Sequence, residues 1–334
     1  MLAGVSARRA VAVAAVACAA GGCGSAAPEE LPRAAEPERS PPLREPPAGR
    51  VIRVGRAPEG VVADPRTGIV AVALRTPDRL ALVDGRRGRL LRTVAVPESA
   101  RHLALVRPGG PVLVPAERAG VLAEVALPRG RLLAATPVGA YPHDAVPAAG
   151  RVFVGDENGD TVSVVRGGRR VGRVRVALQP GGLAAAERGT RVAVVAVRER
   201  VLELFDARTL RRVGRASAGV GPTHAVSDGG TLLFVVDTDG DGLLLFRTRP
   251  RLELVRRVAL PGAPYGIAID RVRRRLWVTL TARNRLVEVT ANGRPRPLRE
   301  LPTVRQPDTV AVDERTGRVF VTGRVAGTLQ LVDP

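Results

Sequence analysis

From residue 50 onwards, apolar and polar positions alternate in short runs, and each run ends in a turn rich in Gly, Asp or Pro. Alternation of this length predicts half-buried strands, and no stretch holds a helical period instead. The runs themselves recur. A tight turn leading into an apolar strand appears as Pro58-Glu-Gly-Val-Val-Ala, Ala100-Arg-His-Leu-Ala-Leu, Pro142-His-Asp-Ala-Val and Pro180-Gly-Gly-Leu-Ala. It returns as Pro222-Thr-His-Ala-Val, Pro264-Tyr-Gly-Ile-Ala-Ile and Pro307-Asp-Thr-Val-Ala-Val. Seven copies with 38 to 43 residues between leading positions, and only strand signals inside, predict an all-β fold. In such a fold each repeat is one small sheet of a seven-bladed β-propeller.

The last repeat shows how the ring closes. Thr309–Asp313 predicts an inner strand, Asp313–Gly317 a hairpin turn, Arg318–Thr322 a second strand and Gly327–Val332 a third. The chain then ends one strand short. Residues 50–55 read like the fourth strands that precede later repeats, so the N-terminal strand is expected to complete the last blade and remove two raw edges. Phe153, Phe234, Trp277 and Phe320 share one mid-strand position and are expected to pack between blades.

Runs such as Phe153-Val-Gly-Asp and Trp277-Val-Thr-Leu carry a resemblance to a known family. With Asp160-Thr-Val-Ser-Val-Val and Leu80-Ala-Leu-Val-Asp84 they resemble YVTN-type (YncE-like) β-propeller repeats, over residues 50–334. No repeat holds the full tetrad that names that family. The resemblance implies the fold and a binding scaffold, and names no ligand.

The first fifty residues have a different character. Arg8 and Arg9 precede an apolar run from Ala10 to Ala20, too short to span a membrane comfortably. Residues 1–22 are therefore read as an export signal. Ala20-Gly21-Gly22-Cys23 resembles a bacterial lipobox, which implies acylation at Cys23, with Cys18 the rival position. Residues 23–49 are rich in Pro, Ala, Glu and Arg, and are expected to form a solvated, extended tether. The whole then reads as an extracytoplasmic protein held to the cell membrane by its N-terminal lipid.

The formal net charge of +20 does not point to nucleic acid. Every basic residue is arginine, which looks like codon pressure, and aromatic residues make up 2% of the chain, too few for base stacking. The outer strands are arginine-rich, as at Arg211-Arg212, Arg256-Arg257 and Arg294–Arg299, which blunts and solubilises the rim. An envelope protein or an anionic wall polymer is the partner such a surface suits.

Candidate chemistry collects at the strand starts. The three histidines of the chain, His102, His143 and His224, all fall one or two residues after a leading position. Asp144 occupies the equivalent place in its own repeat, and Tyr265 and Asp308 directly follow theirs. Inner strands line the channel, so these six residues are expected at one mouth. His102, His143, His224 and Asp144 would suit Zn²⁺ or another first-row divalent ion. Asp237, Asp239 and Asp241 open like a calcium loop, but Thr248 stands where a bidentate Glu is needed. Signatures of hydrolases, kinases and zincins are missing. The chain therefore reads as an envelope binding or assembly scaffold, with a metal-dependent propeller lyase or hydrolase as the alternative. If Cys23 is the acylated residue, Cys23→Ala should abolish incorporation of labelled palmitate in a bacterial host while Cys18→Ala leaves it intact; the reverse pattern moves the lipid to Cys18.

Overall fold

The computed structural model describes Met1 and residues 32–334. The export signal and the acylation at Cys23 lie outside the described residues. The described chain forms seven antiparallel four-stranded sheets. Blade 1 starts at Arg56 and blade 7 at Val310. The last blade is closed by Arg50–Arg53, which pairs antiparallel with Thr328–Val332, Arg50 opposite Leu331 and Arg53 opposite Thr328. The Val54 amide continues the contact by donating to the Gly327 carbonyl at 3.0 Å. The expected closure is thus realised, and the seven-bladed all-β architecture with it.

The hydrophobic core is divided into seven clusters, one between each adjacent pair of blades. The four shared aromatics serve that role. Phe153 packs between blades 3 and 4, Phe234 between 5 and 6, Trp277 between 6 and 7, and Phe320 between 7 and 1. On the outer strands, arginines meet carboxylates of the third strands, as in Arg212–Glu203 at 2.5 Å and Arg299–Glu288 at 2.6 Å.

One local device positions everything that follows. In blades 1, 3, 4, 5 and 6 the ladder between inner and second strand slips immediately after the leading proline. In blades 2 and 7 the inner strand starts only at Ala104 and Val310. The residue after each leading position is therefore outside the ladder in every blade. A bulge re-aims side chains that a regular pleat would direct into the sheet, so these residues form a layer across one mouth of the channel. Glycine occupies the next position where the neighbouring blade crosses too closely. A Cβ at Gly182 would lie 2.7 Å from the Thr223 carbonyl, and one at Gly266 would lie 2.8 Å from that of Asp308.

Residues 32–49, expected as a solvated tether, lie against this same face. Ala35 and Ser40 are buried. The Ser40 hydroxyl donates to the Thr281 carbonyl at 2.5 Å and its amide to Gln306 Oε1 at 3.0 Å. Glu36 pairs with Arg101 of blade 2 at 3.2 Å, and Glu45 with Arg285 of blade 6 at 2.5 Å. The segment is a strap across the channel mouth.

Because Phe320 is fully buried at the blade 7–blade 1 junction, Phe320→Ala should cost about 3–5 kcal/mol of unfolding free energy. Exposed Val171 should tolerate Ala within about 0.5 kcal/mol. Urea titration followed by circular dichroism reads both; equal costs would contradict closure through this junction.

Candidate functional site

The positions left outside the ladder bring all three histidines into one layer, His143 and His224 at bulges and His102 just before its strand begins. The ring centroids of His102 and His143 are 4.9 Å apart, and those of His102 and His224 are 4.4 Å apart. One ring nitrogen from each can be chosen so that all three lie within 4.8 Å of one another. Tyr265 is buried and packs edge-on against His224 at 4.6 Å.

Each imidazole has a different surrounding. His224 Nδ1 stands 3.0 Å from the Tyr265 carbonyl. A carbonyl can only accept, so Nδ1 carries the proton and Nε2 keeps its lone pair. His143 Nδ1 lies 3.2 Å from Glu157 Oε2 and 3.5 Å from Glu117 Oε1, at ion-pair distance without good hydrogen-bond alignment. His102 Nε2 is buried and has no hydrogen-bond partner among the described residues. Two of the rings are thus oriented through one nitrogen by an outer group, the pattern that fixes histidines as metal ligands. The donor set fits a first-row ion such as Zn²⁺; at Zn–N distances of about 2.0–2.1 Å the rings need to close by only roughly 1 Å.

Charge in the layer follows from these contacts. Burial pushes His102 well below the usual imidazole value, and the other two rings add to this. Burial likewise takes His224 down to about 3. Burial opposes charge on His143 too, yet Glu117 and Glu157 raise it to about 9. Glu117 is buried as well, and His143 and Arg75 hold it at about 2. One imidazolium therefore sits beside two neutral rings.

Sequence reasoning did not single out the carboxylates and guanidiniums behind this layer. Glu117 accepts from Arg75 Nη2 at 2.8 Å and lies 3.5 Å from Arg101 Nε. Arg75 also pairs with Glu59, and Glu59 lies 3.2 Å from Arg324 Nη2. On the other side Glu157 accepts from Gln179 Nε2 at 2.8 Å. Arg75, Glu117, Glu157 and Arg324 each stand three residues after the shared valine of the second strand, at Val72, Val114, Val154 and Val321. That common offset was the available signal.

The other expected residues go elsewhere. Asp144 turns away from the imidazoles and accepts from the Ala145 and Leu183 amides, both at 2.8 Å. Burial pushes it up to about 6 against those two donations. Asp308 sits under the strap, accepting from Gln306 Nε2 at 2.9 Å, with Arg324 at 3.7 Å. The three aspartates of the calcium-like loop do not converge. Asp237 accepts from the Val220 and Gly221 amides and faces Arg257 at 3.2 Å, while Asp241 accepts from Gly262 and Ala263. Asp239 packs against Gly221. Asp237 and Asp241 are turn clasps, and among the described residues only the three histidines group as metal ligands.

The pH profile of the metal-free protein follows from His143. Its folded value of about 9 is above the unfolded value near 6.5. The stabilisation is complete below about pH 6.5 and is lost as pH rises through 9. Unfolding free energy should fall by up to ~3 kcal/mol across that window at ~1.4 kcal/mol per unit, and His143→Gln should flatten the fall. A wild-type profile level from pH 6 to 9.5 would contradict the carboxylate clamp.

No family model matches this chain, and no curated protein is similar to it in sequence. Solved structures are similar in fold. The structure of streptogramin B lyase superposes with TM-score 0.72 at 14% identity, covering 85% of this chain and 98% of that one. A chain of Kuenenia stuttgartiensis hydrazine synthase gives 0.73 at 13%, covering 83% and 96%. The β-propeller domain of Cps50 (Swd1) from Myceliophteria thermophila gives 0.73 at 13%, covering 85% and 99%. Proteins of such different roles share the disc and little else, so the similarity extends to the propeller fold alone.

Proposed function

We propose that this protein is an exported, lipid-anchored propeller of the bacterial envelope that works as a binding or assembly module around one first-row divalent ion. The observation that carries the reading is the meeting of His102, His143 and His224, with ligand atoms within 4.8 Å and His102 Nε2 buried without a partner among the described residues. A buried polar atom without a partner costs about 1–3 kcal/mol, and a bound ion removes that cost. The signal-like pattern of residues 1–22 supports the envelope setting, and the resemblance of the repeats to YVTN-type propellers supports a scaffold. The basic surface adds a salt-sensitive attraction to acidic wall polymer.

A metal-dependent lyase or hydrolase is the second reading. It is favoured by the cavity that reaches His102 and His224 from below and by the fold shared with streptogramin B lyase. In that case the ion would polarise a substrate oxygen or its bound water.

Elemental analysis decides the common premise. The chain from Gly24 onwards, purified without a histidine tag and loaded with Zn²⁺, should retain about one equivalent after gel filtration. The triple variant His102→Ala, His143→Ala, His224→Ala should retain none. Equal metal in both proteins would remove the histidine site. Turnover of a lactone or streptogramin panel by the loaded protein would select the enzyme over the scaffold.

A further inference from the structure

The channel below the imidazole layer is closed at one end and open at the other. It holds a cavity of 520 Å³ whose inner end is formed by His102 and His224. On the far side of the layer lies a 40 Å³ cleft, capped by Glu36 and Pro37 of the strap and bounded by Arg101, Tyr265, Asp308 and Arg324. At the open end stand Arg107, Arg271 and Glu314. Arg271 is tied to Glu314 at 2.9 Å and to the Ser227 carbonyl at 3.1 Å, so the single acid at this opening is already neutralised.

The walls and the floor differ in chemistry. Val62, Leu105, Val146, Val226, Ile267 and Val312 face the space from six blades. The one carboxylate in the wall, Asp144, is occupied by two backbone amides. The floor offers ring nitrogens, with Arg101 behind them. Volume, apolar walls and a few polar groups gathered at one end are the attributes of small-molecule sites, which span about 300–1,000 Å³.

We infer that the channel is a blind binding chamber for a slender apolar molecule bearing one carboxylate, which enters past Arg107 and Arg271 and sets its head against the imidazole floor. An apolar tail gains by leaving water along the valine-lined wall, at about 25 cal/mol per Å². Arg107 at the opening favours an anionic head, and at the floor the carboxylate meets the ion that the three imidazoles would hold; an ammonium head would be opposed by both. This inference deepens the proposed metal reading and rests on it for the head contact, whereas the volume and the apolar walls stand without it.

Decanoate is the probe, with decylamine and succinate as controls, titrated calorimetrically into the chain from Gly24 onwards. Saturable binding at one site is expected, at least tenfold tighter than either control. Val146→Phe and Val226→Phe, made singly, narrow the chamber and should each weaken decanoate at least tenfold while leaving metal content near wild type. A diazirine-bearing decanoate needs no variant, since its crosslinks should map to peptides 142–148 or 222–227. No saturable binding, or crosslinks confined to the outer strands, overturns the chamber. Decanoate binding in protein that takes up no metal would sink the metal reading and leave the chamber standing. Metal uptake without decanoate binding would do the opposite.

Discussion

Closure of the ring by Arg50–Arg53 on Thr328–Val332 is the constraint on which the rest depends. An open stack of blades would expose a raw edge at each end, and nothing would fix the angle between successive sheets. With the seventh blade completed, seven inter-blade clusters must close on themselves. The diameter of the channel is then set. Only with that diameter do positions from blades 2, 3 and 5 bring imidazoles to centroid distances of 4.4 and 4.9 Å.

That proximity creates an electrostatic problem, and the second strands answer it. Three touching imidazoles cannot all be charged in a buried layer. Carboxylates stand only on the His143 side, so that ring takes the proton while His102 and His224 stay neutral. Arginines from blades 1, 2 and 7 in turn keep Glu117 and Glu59 paired. Charge therefore alternates around the mouth, from Arg324 through Glu59, Arg75 and Glu117 to His143 and Glu157. Removing one member would leave a buried neighbour uncompensated, which costs far more than the pair contributes.

The fold was legible because a repeat near forty residues shows in any alternating sequence, and because residues 50–55 look like a missing fourth strand. The histidine convergence was half legible. The nearness to the leading residue placed the side chains at one mouth, but the bulge that swings His143 and His224 inward has no mark beyond a proline. Asp144 misled for a related reason: it shares the His102 and His224 offset, yet in blade 3 the ladder resumes at that residue, opposite Gly155, and its carboxylate caps amides. The Asp237–Asp241 run misled because consecutive aspartates at a hairpin suit backbone amides as well as calcium.

The strap was not legible, and its composition explains both the misreading and the packing. A proline-rich chain has few amide donors, so it can neither form a strand nor satisfy its own carbonyls. Left alone, it is solvated. Here the disc supplies the donors from side chains. Arg198 reaches the Pro32 carbonyl at 3.4 Å, Gln306 that of Glu38 at 2.9 Å and Arg305 that of Ser40 at 3.3 Å. Asn284 donates to Pro41 at 2.9 Å and Gln330 to Ala48 at 2.8 Å. Nothing within residues 32–49 announces these partners, which lie more than 160 positions away. A segment held through its carbonyls on a fixed row of donors blocks the histidine mouth without entering it. Traffic to the imidazole layer is thereby left to the opposite, valine-walled end of the channel.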